Sequence, residues 1–279
     1  MRALGEEEII DAVSRLCVRA NTVLTPDIDR ALAAALAREE SAVAVSCLAA
    51  CRENLVCAAR ESLPVCQDTG MAVVFVELGS RVVVDGDLRA AVDEGVRRGY
   101  REGYLRCSVT ADPLRRANTG DNTPAVLYVE TVPGEELRIT VAPKGFGSEN
   151  MSRLYMLTPA DGRDAVIEKI TQTARLAGAN PCPPVILGVG VGGTAEGCML
   201  AAKKQLLRPV GTPNGDPWYA EIEREALDAV NALGIGPQGL GGKTTALAVH
   251  IAALPTHIAG LPLAVNVGCH VTRHASCVI

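Results

Sequence analysis

The period of the hydrophobic pattern changes once along this chain, and that change constrains the fold more than any single motif. From about Glu6 to Ser62 apolar residues recur at helical spacing. Ile9, Val13, Leu16 and Ala20 form one stripe, and Thr25-Pro26 opens the next helix with a cap and a proline at its first position. Three helices are predicted over residues 1–62. From Met71 onward short apolar runs of strand character, MAVVFVEL, RVVVDG, AVLYVETV and LRITVAP, surround a helical stretch at DLRAAVDEGVRRGYREGYLR. Beyond GFGSEN come helices around DAVIEKITQTARLA, AEGCMLAAKKQLL and WYAEIEREALDAVNAL, and strand-like PVILGV, TTALAVHIAAL and LPLAVNV. The reading is α/β: a helical N-terminal segment over 1–62, then a mixed α/β part over 63–279, taken together as one domain over 1–279.

A hydrophobic fraction of 48% is ample for a core, but aromatic residues make up only 3%, so packing must rely on aliphatic side chains and close backbone approach. The net charge of −5 speaks against general nucleic-acid binding, which needs an excess of Lys and Arg. Three glutamates at residues 6–8 stand where an export signal would carry a basic flank and an apolar run. The most apolar stretch, from His250 onward, is broken by Pro255, His257 and Pro262, so no membrane anchor is expected. Ten cysteines without a secretion signal read as thiols of a reducing cytoplasm.

Most of these cysteines have a packing explanation. Cys17, Cys47, Cys51, Cys57 and Cys198 lie in helical patterns among Ala, Val and Leu, where a thiol is a small hydrophobe. Cys107 and Cys277 stay in reserve. Three others sit in unusual polar or glycine-rich settings: Cys66 in PVCQDTG, Cys182 in ANPCPPVILGVGVGG and Cys269 in NVGCHVTRHA. Brought together by folding, three such thiolates would hold an iron–sulfur cluster and leave one iron open as a Lewis acid. Their spacing alone does not establish this, because no short motif joins them.

Two glycine runs invite nucleotide readings. GVGVGG at 188–193 satisfies G-x-G-x-x-G between a strand and a helix, but the acidic residue expected about twenty positions on is missing. GPQGLGGKTT places Pro237 where a phosphate-binding loop needs its first glycine. The alternative is that both loops bring backbone N–H groups close to an anionic ligand.

The motifs PVCQDTG, GYLRCSVTADPLRRANTGDNTP, APKGFGSEN, ANPCPPVILGVGVGG, GIGPQGLGGKTTALAVHIAALPTHIAGLP and NVGCHVTRHA, in this order from about Leu63 to the C-terminus, resemble the class I, iron–sulfur-dependent fumarate hydratases, specifically their α subunit or equivalent N-terminal half. The resemblance implies a [4Fe-4S] cluster held by Cys66, Cys182 and Cys269, and reversible hydration of fumarate to (S)-malate. It implies that Gln67 and Asp68 face bound substrate, with Asp68 in the acid–base network, and that Arg106 clamps a carboxylate through two parallel donors. Gly147, beside Gly145, lets backbone approach the ligand closely, and His257 joins the substrate pocket.

Each of these residues also has a plainer reading. Asp68 suits a turn, Arg106 a solvated helix end, and His257 a hydrogen-bonded place in an apolar segment. The clusters Asn118, Asp121, Asn122 and Ser148, Glu149, Asn150 serve equally as turn formers or as supports of the site.

The sequence stops soon after Cys269, without the second domain of single-chain members, so the resemblance implies a hetero-oligomer. A β subunit would supply further carboxylate-binding cations and a threonine that works with Asp68. L-tartrate dehydratase shares the PVCQDTG-like and GIGPQGL-like segments, while NTGDNTP, GGKTT and PTHIAGLP look more like the fumarase branch. A reading of another class, motivated by the glycine runs, is a non-catalytic nucleotide-binding module.

Overall fold

In the computed structural model, residues 2–279 are described. The chain is α/β. It opens with β1 (Arg2–Gly5), α1 (Glu6–Thr22), α2 (Pro26–Arg38) and α3 (Ala42–Glu61), followed by β2 (Met71–Gly79), β3 (Val82–Asp85) and α4 (Leu88–Glu102). Next come β4 (Val126–Val132), β5 (Leu137–Lys144), the one-turn α5 (Phe146–Glu149), β6 (Arg153–Leu157) and α6 (Gly162–Ala177). The rest is β7 (Val185–Gly192), α7 (Ala195–Gln205), α8 (Pro217–Asn231), β8 (Ala246–Leu254), β9 (Leu261–Gly268) and β10 (Ala275–Val278).

These elements form two compact units. Of the described residues, the first contains 2–24, 57–145 and 273–279, and the second 25–56 and 146–272. The three opening helices expected from the sequence are present, but they do not form a segment of their own: α1 belongs to the first unit, whereas α2 and most of α3 belong to the second.

In the first unit a four-stranded sheet runs β10-β5-β2-β4, and β1 pairs with β3 in a small parallel ribbon. Its core is mainly aliphatic, with Ile9, Val13, Leu16, Val74, Val92, Val96, Ile139 and Val141 buried together around Tyr100. The low aromatic content is offset by close approach of α1 and α4. A Cβ at Gly95 would meet the Val13 side chain at 2.6 Å, and one at Gly99 would meet the Ser14 carbonyl at 2.7 Å. Asp87 starts α4 by accepting from the N–H groups of Arg89 and Ala90.

In the second unit the sheet order is β6-β9-β7-β8, with β7 parallel to β8 and antiparallel to β9. Residues of β7 are buried throughout, as expected of a strand covered on both faces. One cover is α7, and GVGVGG is explained by it. A Cβ at Gly188 would lie 2.1 Å from the Ala202 carbonyl oxygen, and one at Gly190 would lie 2.2 Å from that of Cys198. These two glycines let a helix settle on a strand; they are not the anion-facing loop that the sequence suggested.

Among the described residues one helix, α3, is long and apolar enough by length and composition to cross a membrane. Its Arg52 is tied to Asp29 of α2 by a 2.8 Å ion pair. The most apolar run of the sequence, from His250 onward, forms β8, β9 and the turn between them.

Candidate functional site

In the first unit the QDTG segment is a turn built around its own side chains. The Asp68 N–H approaches the Cys66 sulfur at 3.4 Å, and Asp68 Oδ1 accepts from the Gly70 N–H at 3.0 Å. The turn reading of Asp68 is therefore correct as far as Oδ1 goes. Its Oδ2 faces Gly145, where a Cβ would stand only 3.0 Å away, so glycine there leaves the carboxylate room.

The loop carrying Arg106 is clipped to this turn by one hydroxyl. Thr69 Oγ1 donates to the Arg106 carbonyl at 3.1 Å and accepts from the Arg106 N–H at 2.9 Å. Beneath, the Tyr100 hydroxyl lies 2.9 Å from the Thr69 carbonyl and 3.0 Å from that of Gly70. Burial pushes the Tyr100 phenol well above its ordinary range, so it remains a donor. Arg273 closes the other side, donating to Asn21 Oδ1 and to the Asp68 carbonyl.

The NTGDN cluster proves to be scaffolding for the same turn. Asn122, fully buried, donates to the Gly70 carbonyl at 3.1 Å and accepts from Ser108 N–H at 2.7 Å. Asp121 loses some acidity to burial, yet the hydroxyl and N–H of Thr123 and the Arg97 guanidinium hold its carboxyl down at about 2. The Cys107 thiol donates to the Gly120 carbonyl, and Cys277 packs within β10 against the core of this unit.

In the second unit the register of β7 and β9 decides the geometry. Ile186 pairs with Gly268, so Cys182, just before β7, and Cys269, just after β9, emerge at the same end of the sheet. The His270 imidazole Nδ1 lies 2.9 Å from the Cys182 carbonyl oxygen. A carbonyl only accepts, so Nδ1 carries the proton. Cys182 is exposed and has a φ of 53°, a left-handed conformation uncommon outside glycine. On the other loop the Cys269 carbonyl accepts from the hydroxyl of Thr272 at 2.7 Å.

The GPQG loop joins them. Gln238 donates from its backbone N–H at 2.7 Å and from Nε2 at 2.9 Å to the same Pro183 carbonyl, and its Nε2 lies 3.9 Å from the Cys51 sulfur. Lys243, farther along the loop, pairs with Glu40 as a half-exposed surface ion pair.

Cys17, Cys51 and Cys198 are buried as expected, and burial raises all three thiols above their ordinary value. Cys47 is only half-buried, and Cys57 is exposed, contrary to the packing role read for it, because it lies on an outer face of α3. Gly147 lies in α5, where a Cβ would meet only the Asn180 carbonyl at 3.5 Å. Glu149, at the end of that turn, is bound by Lys203 at 2.6 Å and by Asn266.

His257 is exposed, in the turn between β8 and β9. It borders an apolar hollow of about 380 Å³ lined by Trp218, Tyr219, Ile222 and Ile258. Cys269 lies at the other end of β9, roughly 25 Å away for eight residues of strand. Within one chain, therefore, His257 does not join Cys182 and Cys269.

A fumarate hydratase (Fumerase) family model matches residues 10–278. The chain belongs to that family. A Methanocaldococcus jannaschii protein provisionally named L(+)-tartrate dehydratase subunit alpha is 38% identical over 275 residues, 96% of each chain. The L(+)-tartrate dehydratase subunit alpha of Escherichia coli O157:H7 is 31% identical over 220 residues, 77% of this chain and 72% of its own. That of Escherichia coli K12 is 31% identical with the same coverage.

Against this Fumerase-family background the donors can be tested for the implied cluster. Among the described residues no three or more His, Cys, Asp or Glu side chains are gathered to hold a single metal ion. A cubane asks for something else, since each thiolate binds its own iron and the ligands stand apart on separate loops. Cys182 and Cys269 meet that requirement on adjoining loops of one unit, and Cys66 is a partly exposed thiol on a loop of the other. The soft, accessible donor set fits the group.

Proposed function

We propose that the chain is the cluster-carrying α subunit of a [4Fe-4S] hydro-lyase that adds water reversibly to fumarate, giving (S)-malate, in a reducing cytoplasm. The observation that carries this reading is the emergence of Cys182 and Cys269 at one end of the β7–β9 pair, tied together by His270. Cys66 is the third ligand in the proposal. When bound, the cluster supplies Lewis acidity at the iron that lacks a protein ligand, which makes hydroxide a better leaving group.

The remaining work falls to this chain's side chains. Elimination from malate removes a weakly acidic C–H proton beside a carboxylate, so a base must face that carbon. Asp68 is assigned this proton. Its Oδ1 accepts from the Gly70 N–H, which fixes the carboxylate in the turn, and its Oδ2 lies beside Gly145. Gln67 orients the substrate beside it through its amide. Arg106, held to the same turn by Thr69, binds the carboxylate on which negative charge grows as the proton leaves. Gly147 adds a backbone N–H.

The words "subunit alpha" in the relatives' names support a hetero-oligomer in which a β subunit completes the substrate site. The same names favour a second reading, dehydration of L(+)-tartrate to oxaloacetate, which differs at the substrate by one hydroxyl. Anaerobic co-expression with a β subunit, followed by assays on fumarate and on L(+)-tartrate, separates the two. Turnover of fumarate at least about tenfold above that of tartrate, in kcat/KM, supports the first reading, and the opposite ratio supports the second. Equal activity of the chain alone and of the complex would contradict the partner.

A further inference from the structure

Gln238 occupies a position where glycine would be unstrained. Its φ is 56°, in a loop whose other positive-φ positions, Gly234, Gly236, Gly239, Gly241 and Gly242, are all glycines. A side chain kept against that conformational preference is a side chain in use. What it does is visible in its contacts. The backbone N–H and Nε2 of Gln238 both donate to the carbonyl of Pro183, the residue after Cys182. The same Nε2 lies 3.5 Å from Nδ1 of His270, the residue after Cys269. Because His270 Nδ1 donates to the Cys182 carbonyl, that approach is a packing contact rather than a hydrogen bond. The Pro183 carbonyl, an acceptor only, fixes which end of the amide is nitrogen.

We propose that Gln238 is a positioning residue that fixes the separation of the Cys182 and Cys269 thiols by bracing the two loops against each other. It touches neither thiol of that pair. It acts through Pro183 on one loop and His270 on the other, so that two ligands arriving from different strands present one geometry before any iron binds. The inference rests on the reading of these cysteines as cluster ligands, but its geometric content does not depend on iron.

The test uses the full chain and two variants. Gln238→Gly keeps the backbone conformation and the N–H bond to Pro183 while removing the brace. Gln238→Glu keeps the length and exchanges the Nε2 donor for an oxygen facing the Pro183 carbonyl, and it carries the test should the glycine variant fail to fold. In apo-protein, crosslinking of Cys182 to Cys269 by a short bifunctional thiol reagent is mapped by peptide analysis. In anaerobically reconstituted protein, iron release to a chelator and the electron paramagnetic resonance spectrum of the reduced cluster are recorded.

The expected result is a crosslink in the parent that falls severalfold in the variants, iron release faster by about tenfold, and a shifted spectrum, at nearly unchanged unfolding temperature. Equal crosslinking in parent and variants overturns the proposal, whatever the iron content. A parent that takes up no cluster but whose crosslink still depends on Gln238 removes the cluster reading and leaves the positioning role standing.

Discussion

His270 donates its Nδ1–H to the carbonyl oxygen of Cys182 across 2.9 Å, so the residue after one implied ligand grips the other. Serine at Cys66, Cys182 or Cys269 should therefore each lower iron and sulfide from about four per chain in anaerobically reconstituted protein, the content of a cubane. Cys57→Ser, changing an exposed thiol on α3, should leave the content unchanged. Equal iron in the three ligand variants and the parent would remove the assignment.

Asp68→Asn is expected to preserve the cluster, because the amide oxygen still accepts from Gly70 N–H, and to lower turnover severely, because proton transfer is lost. Arg106→Ala leaves the Thr69 clip intact, since that contact is made through the Arg106 backbone. Its cost should fall on substrate binding and on kcat/KM together, by about 1.5–3 kcal/mol or roughly ten- to hundredfold. Steady-state kinetics of the α–β complex measures both. Parental values in either variant would contradict the assigned role.

The α/β pattern was legible in the sequence because helices such as α1 and α4 bury one face at helical spacing, and because strands such as β7 and β9, buried along their length, are short continuous apolar runs. β6 and β10 were not: RLYML alternates weakly, and ASCV is too short to show a period before pairing defines it. Asp68 and Arg106 were legible through resemblance, but the Thr69 hydroxyl, Tyr100, Asn122 and Arg273 that hold their backbone were not. Their partners lie up to 252 residues away, as for Arg273 and Asn21, and only the fold makes them neighbours. Gln238 could have been noticed as the one polar side chain in the glycine-rich run GIGPQGLGG. The glycines of GVGVGG misled for a related reason, since the same residue type permits close approach of a phosphate or of a helix.

That second use of glycine gives a prediction of its own. Gly190→Ala places a methyl group 2.2 Å from the Cys198 carbonyl oxygen, which requires α7 to lift off β7. The loss of stability should be about 1–3 kcal/mol or more, as for an overpacked core. Urea denaturation of the apo chain measures it. A neutral substitution would show that the strand and helix are not held at this distance.

The last prediction concerns His250, buried on β8 with Nδ1 placed 3.1 Å from the Gln205 carbonyl. Burial, and then the nearby Arg208 guanidinium, push this imidazole down from 6.5 to about 4, against the weaker opposing pull of the Gln205 carbonyl and then of Glu223 and Asp27. Between those two values the folded chain keeps His250 neutral while the unfolded chain takes up the proton, and this difference in uptake is what the stability reads. The unfolded state therefore binds more protons in this window, and stability must fall as the pH drops from about 6.5 to about 4. Below that both states are protonated and this contribution changes no further. The loss is on the order of 2–3 kcal/mol by about pH 4.5, from the size of the displacement. Carboxylates elsewhere add their own pH dependence, but they are common to parent and variant. Urea unfolding of the parent and of His250→Gln, at neutral pH and at about pH 4.5, isolates the histidine as the difference between the two slopes. The variant should lose less stability on acidification by that amount, and parallel pH profiles would mean that His250 takes up its proton as readily in the folded chain as in the unfolded one.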